Sequence, residues 1–239
     1  MSTHLGASSS SSSSHIPSYT YEYDVFLSFR GVDTRYSFTR NLYSALDKKG
    51  ITTFMDNQLE SGEEISRQLL ETIERSKIAI IVFSENFASS RMCLDELVKI
   101  LECKNSGKQI VRPVFYKVKP KDVRPQGTYG KALAKHQERF TKAHNEALAK
   151  HEERFKNSHK EKVDLTNHKR SYDEAFGGLE STFQQNMDKL VNWGRSLTEA
   201  AGLSGWEYST GYESNFIDMI VEMISKREML EKNQRNLEA

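Results

Sequence analysis

A doubly wound α/β fold is what this sequence predicts, and three observations predict it. Apolar runs recur at Tyr23–Phe29, Ile78–Phe83 and Ile110–Tyr116, as strands buried on both faces of a parallel sheet do. Segments with apolar residues at helical spacing lie between them. Polar connections, several with glycine, punctuate the alternation. Strand and helix alternating over residues 23–116, with a right-handed crossover at each step, give this fold class.

The elements follow in order. In Tyr23–Phe29, five of seven residues are apolar or aromatic. Arg30-Gly31 ends that strand, and Asp33 or Thr34 offers an N-cap for the next helix. Thr34 to Lys49 carries Phe38, Leu42, Ala45 and Leu46 at helical spacing, with Gly50 in the C′ position. Ile51–Met55 is a β-branched second strand, and Asp56 to Glu63 a polar loop. Ile65 to Arg75 reads as a helix. Ile78–Phe83 is the most hydrophobic strand and is expected at the centre. Ser89 or Ser90 can cap the helix whose buried stripe is Leu94, Leu97, Val98 and Leu101. In the fourth strand Pro113 is awkward, so either the sheet ends there or a bulge takes it up.

Beyond Tyr116 the character changes. Residues 131–170 hold eleven Lys or Arg against six Asp or Glu, and five of the seven histidines. Ala132–Glu146 (ALAKHQERFTKAHNE) is followed directly by Ala147–Glu161 (ALAKHEERFKNSHKE), identical at ten of fifteen positions. A weaker third copy begins at Ala175, with Glu180 and Phe183 in place. This is a local duplication, helical, with Leu133, Phe140, Leu148 and Phe155 as one narrow apolar stripe. Met187 to Ala201 forms another helix, Trp206–Tyr208 a short last strand, and Phe216 to Ile224 begins a final helix that runs into a charged tail at 227–239.

At 239 residues, 28% charged and net +1, the chain suits one large domain with extensions and carries no footprint for nucleic acid or an anionic membrane. No run is long enough to span a bilayer as a helix. Residues 1–20 are a serine-rich tail of disordered composition, with no apolar segment for a secretory signal and no Lys or Arg before Arg30. Cys93 and Cys103 fall on one helix about 15 Å apart, too far for a disulfide, which implies a reducing, cytosolic setting.

Several residues could carry chemistry. In a sheet of order 2-1-3-4-5 the ligand crevice lies between the ends of strands one and three, with Arg30-Gly31 on one side and Ser84 to Glu96 on the other. There a carboxylate opposite an arginine can stabilise a developing cation and hydrogen-bond a sugar hydroxyl. Taken alone, Glu96 reads as a solvated helix glutamate. Arg30 and Arg35 could hold a phosphate near a helix N-terminus or form surface ion pairs. Met92 is more often core than a ligand contact. Cys93 has no nearby histidine in sequence to make it a nucleophile. His136, His144, His151 and His159 share a helix face but stand roughly 10–12 Å apart, so no metal site is expected. There is no GxGxxG and no P-loop. Ser84-Glu85 follows the third strand where a response regulator would carry its aspartate.

Five ordered motifs resemble the plant TIR domain: YDVFLSFRGVDTR (Tyr23–Arg35), FMDNQLESGEEI (Phe54–Ile65), IAIIVFSENFASSRMCLDEL (Ile78–Leu97), VFYKVKPKDVRPQ (Val114–Gln126) and AAGLSGWEY (Ala200–Tyr208). The resemblance covers about residues 21–226, apart from a repeat-bearing helical insertion at about 131–172. It implies a flavodoxin-like fold of about five strands with helices on both faces, and NAD⁺ cleavage with NAD⁺ as substrate and no other cofactor. Glu96 matches the catalytic glutamate. Arg30, Gly31 and Arg35 match the loop lining the pocket, with Met92 and Cys93 beside it. Asp56, Asn57, Gln58, Leu59, Glu60, Ser61, Gly62 and Glu63 match the BB loop, through which neighbouring subunits complete each other's sites. Phe38, Arg40 and Asn41 match a self-association helix. The implied partners are a second copy, other TIR proteins and, through its nucleotide products, lipase-like immune signalling heterodimers. The implied compartment is the cytoplasm, with the nucleus as a second.

Two residues depart from the pattern. The family carries tryptophan where Met92 stands, and histidine where Asn41 stands. The first bears on substrate affinity and rate, the second on assembly; together they motivate the alternative of a weak or inactive interaction module. The chain ends without nucleotide-binding and leucine-rich regions, so a TIR-only protein or the N-terminal part of a receptor is expected. The insertion reads as neutral, or as a basic partner-binding arm.

Overall fold

The structure, a computed structural model, describes residues 20–56, 65–158 and 165–237. Five parallel strands form the sheet: β1 (Tyr23–Phe29), β2 (Thr53–Met55), β3 (Ser76–Phe83), β4 (Ile110–Tyr116) and β5 (Trp206–Tyr208), in the order β2-β1-β3-β4-β5. This is the doubly wound order, and β3 is central as its composition predicts. The period-two alternation of a strand divides the core between the two faces. On one face Val25, Leu27, Ile78, Ile80 and Val82 meet α2 (Arg40–Lys48) and α8 (Glu213–Leu237). On the other, Phe26, Ala79, Ile81 and Phe83 meet α3 (Arg67–Glu74), α4 (Arg91–Asn105) and the end of α7 (Leu165–Ala200).

The structure settles the fourth strand. Register runs unbroken through Pro113, opposite Ile81, so there is no bulge. Pairing with β5 begins one residue later, at Val114 and Trp206. Gly205 lies beside the proline, where an added Cβ would come 2.5 Å from the ring Cγ. A short edge strand and a glycine together accommodate the missing donor.

Several boundaries differ from expectation. The helix expected over 34–49 is three pieces: a turn α1 (Gly31–Thr34), a π-helical turn (Arg35–Thr39) and α2. Ser37 is non-helical (φ −132°, ψ −111°) and breaks the run. Neither Asp33 nor Thr34 caps a helix with its side chain. The second strand is shorter than expected, and Gly50 does close α2 with φ +71°. After a short turn α5 (Pro120–Val123), the duplicated segment lies in α6 (Gly130–Ser158), which pairs with α7. The helix expected from Met187 begins at Leu165, and the final helix begins at Glu213.

Three of the repeat histidines, His136, His144 and His151, face α7, and His159 lies outside the described residues. His144 stacks on Phe183 (4.4 Å between centroids) and His151 meets Tyr172 (4.4 Å). Deeper in, His136 meets Trp193 edge-on at 5.3 Å. Its Nε2 lies 3.0 Å from the Ala88 carbonyl; a carbonyl only accepts, so Nε2–H donates and fixes the tautomer.

Candidate active site

The site is built where β1 and β3 end. Ser90 caps α4, its hydroxyl accepting from Cys93 N at 3.4 Å. The helix then presents Met92, Cys93 and Glu96 on one face, since residues three and four apart are neighbours. These three, with Leu27, Phe29, Gly31, Arg35 and Asp56, line a narrow hollow of ≈ 20 Å³, about the room one water needs. Glu96 is 6% exposed, and its Oε2 accepts a hydrogen bond from Ser28 Oγ at 2.7 Å. The Cys93 thiol points at the Phe29 carbonyl, 3.5 Å away.

Arg35 forms the opposite wall. Its guanidinium lies 5.2 Å from the centroid of the Phe29 ring and donates to the Asp56 carbonyl. It also packs against Gly31: a Cβ there would stand 2.9 Å from Nη2. A side chain at this position would displace the guanidinium rather than any backbone, so Gly31 serves the placement of Arg35 and not an unusual φ. The break at Ser37 lets the chain leave this clamp and re-enter a helix at α2.

Asp33 joins the two loops. It accepts from Arg30 Nη1 (2.6 Å), Ser84 Oγ (2.6 Å) and Asn86 N (3.1 Å). Burial alone would raise its carboxyl, but the bonds from Ser84, Arg30 and Asn86 outweigh it and hold the group below its ordinary value. Behind Ser84, the buried Tyr129 hydroxyl donates to the Ser84 carbonyl. Burial pushes that phenol well up, so it stays a neutral donor. Trp193 Nε1 donates to Asp95 Oδ1 at 2.8 Å, tying α7 to the helix that carries Glu96. Among the described residues, no three His, Cys, Asp or Glu side chains gather as a metal site would need, and no helix is long and apolar enough to cross a membrane.

Comparison with known proteins bears on what this hollow is. A family model for the TIR domain matches residues 22–166. The chain belongs to the TIR domain family. It is 53% identical over 223 residues to TMV resistance protein N of Nicotiana glutinosa, covering 92% of this chain and 15% of that protein. To disease resistance protein RPV1 of Vitis rotundifolia it is 43% identical over 222 residues, covering 92% and 13%. The TIR domain thus spans about a seventh of the length of these relatives. Among solved structures, the TIR domains of the activated Roq1 resistosome, directly recognizing the pathogen effector XopQ, match with a TM-score of 0.59 and 36% identity, over 85% of this chain and 99% of that one. The strand order is that of this TIR fold.

Within the TIR domain, Glu96, Gly31, Arg35, Met92, Cys93 and Asp56 come together around the hollow. Arg30 does not line it; its guanidinium is turned to Asp33. Asn57, Gln58, Leu59, Glu60, Ser61, Gly62 and Glu63 lie outside the described residues. Of the three residues expected on a self-association helix, Phe38 is a correction: it is fully buried, stacked on Tyr116 at 4.7 Å, and belongs to the core. Arg40 and Asn41 are exposed, and Asn41 Nδ2 reaches Glu213 Oε1 at 3.5 Å. Sequence reasoning missed Ser28, Asp33 and Tyr129 as parts of the site, and gave Ser84 only as the start of the segment on one side of the crevice. Ser28 had a signal, a lone hydroxyl within a run of buried apolar residues.

Proposed function

We propose that this TIR domain is an NAD⁺ glycohydrolase or cyclase of plant immune signalling that acts when self-associated. The observation that carries the reading is the buried Glu96 carboxylate of α4, sharing a hollow with Arg35 at the end of β1. In this reading the carboxylate accepts from a hydroxyl of the nicotinamide ribose and faces the positive charge that develops there. The C1′–N bond breaks, and its electron pair leaves with nicotinamide, which becomes neutral. Water adds to C1′ and gives up a proton, yielding ADP-ribose; attack by an adenine nitrogen instead gives a cyclic isomer. Electrostatic stabilisation of this kind is worth about 10²–10³-fold in rate. Arg35 supplies positive charge for the diphosphate.

The hollow is too small for nicotinamide, so entry requires its rim to open. A second copy acting on that rim gives self-association its role; the TIR domains of the structural relative belong to an activated resistosome. The products would be read by lipase-like heterodimers in the cytoplasm.

The test uses purified, concentrated protein under crowding, with NAD⁺ and chromatographic detection of nicotinamide. Wild type is expected to release it, and Glu96→Ala to lose at least about 100-fold. Equal turnover by the variant overturns the assignment. A second reading, an inactive interaction module, is favoured by the small hollow and by methionine in its wall; it predicts no nicotinamide at any protein concentration.

A further inference from the structure

β1 places one fully buried polar side chain on the face that meets α4. Ser28 is fully buried, in register with Ile81 of β3 and on the same strand face as Phe26. A hydroxyl at such a position must find a partner, since burying it unpaired costs free energy. Its partner is the buried carboxylate of the hollow, Glu96 Oε2, at 2.7 Å.

An ionised carboxylate only accepts, so the proton in this bond is the serine's. The length suits a charge-assisted O–H···O⁻ bond. Two consequences follow. A glutamate has three rotatable bonds, and a bond from a rigid central strand to one of its oxygens fixes the carboxylate plane against the hollow. A donor to the charged form also favours that form, against the desolvation that burial imposes on a charge.

We propose that Ser28 is a positioning residue for Glu96, orienting its carboxylate and keeping it ionised for the chemistry of the hollow. The kinetic part rests on the NAD⁺-cleaving reading given above; the geometric part does not.

The experiment therefore has two arms. In the first, the Glu96 carboxyl is followed by ¹³C NMR across pH, assigned by its absence in Glu96→Gln. Ser28→Ala is expected to move its titration midpoint up by about one pH unit. Ser28→Thr, which keeps the hydroxyl, is expected to stay near wild type. Ser28→Cys, which fills the same space with a weak donor, gives a second upward shift should the alanine variant fail to fold. In the second arm, NAD⁺ turnover by Ser28→Ala is expected to fall about tenfold or more in kcat, with KM little changed. Its acidic limb should move to higher pH by the same interval, and Ser28→Thr should restore it. A midpoint that does not move in folded Ser28→Ala or Ser28→Cys overturns the proposal. A wild type without Glu96-dependent turnover overturns the enzymatic reading alone, because the NMR arm still decides whether Ser28 holds the carboxylate.

Discussion

One carboxylate holds the rim of the hollow together. Asp33 gathers donors from Arg30 on its own loop and from Ser84 and Asn86 on the loop after β3. Its folded-state value lies below 3.8. Between that value and the unfolded one, the unfolded chain binds more protons, so stability rises with pH there. The contribution is complete above about pH 5 and disappears as acid carries the group through its folded value. Asp33→Asn keeps the shape and removes the charge. It is expected to cost about 1–2 kcal/mol at pH 7, given partial solvent screening, and less at pH 2.5. Urea unfolding of both proteins at the two pH values measures this; a deficit as large in acid would contradict it. Such residues are where sequence reading stops. A short acid after Arg30-Gly31 reads as an N-cap, because capping is local and local pattern is all a sequence displays. That the same oxygens reach a loop fifty residues on depends on β1 and β3 lying side by side. Glu96 shows the opposite case: its place on α4 is legible from helical period, while its burial depends on a serine of another strand.

At the scale of elements, amphipathic period made α3, α4 and α8 legible, and apolar runs made β1, β3 and β4 legible. What escaped is where tertiary contact overrides local preference. α7 runs through Gly177 and Gly178, two residues that disfavour helix interiors by about 1 kcal/mol each. Pairing with α6 through Phe183 and Tyr172 offsets that cost. The break at Ser37 escaped for the converse reason: nothing in the spacing of Phe38 and Leu42 records the clamp on Arg35. His136 gives this scale its test. Burial holds its imidazole below the ordinary value, with Arg139 and Arg91 adding to the effect and the Ala88 bond and Asp95 opposing it. Below about pH 6.5 the unfolded histidine takes a proton that the folded one refuses, so stability falls as pH falls. His136→Gln keeps a donor for the Ala88 carbonyl and removes the titration. Denaturant unfolding at pH 8, 6.5 and 5 should show wild type losing more stability on acidification than the variant. Equal losses would mean the ring is protonated within the fold.

The whole molecule divides unevenly between core and hairpin. Both faces of the sheet carry helices, and among the described residues the α6–α7 hairpin is buried against that core at its base. There His136, Phe140, Trp193 and Leu197 are buried, with Trp193 bonded to Asp95. Among the described residues between 141 and 186, none is buried in the core. Their contacts are to each other: His144 on Phe183, His144 Nε2 on Glu180 Oε1 at 3.1 Å, Phe155 on Tyr172 at 4.4 Å. Pairs of this kind contribute about 1 kcal/mol or less each, and they hold the two helices to one another rather than to the sheet. His144 lies across from Glu180, so residue 146 can be joined to residue 178 by a short Gly-Ser linker without disturbing the base. Replacing 147–177 in this way is expected to leave the thermal midpoint within a few degrees of wild type. Trp193→Ala, by contrast, should cost about 3–5 kcal/mol, because it empties a fully buried site between α4 and α7. Differential scanning calorimetry of the three proteins separates the cases. A shortened chain as unstable as the tryptophan variant would place the duplicated segment inside the cooperative unit, and the division drawn from burial would then be wrong.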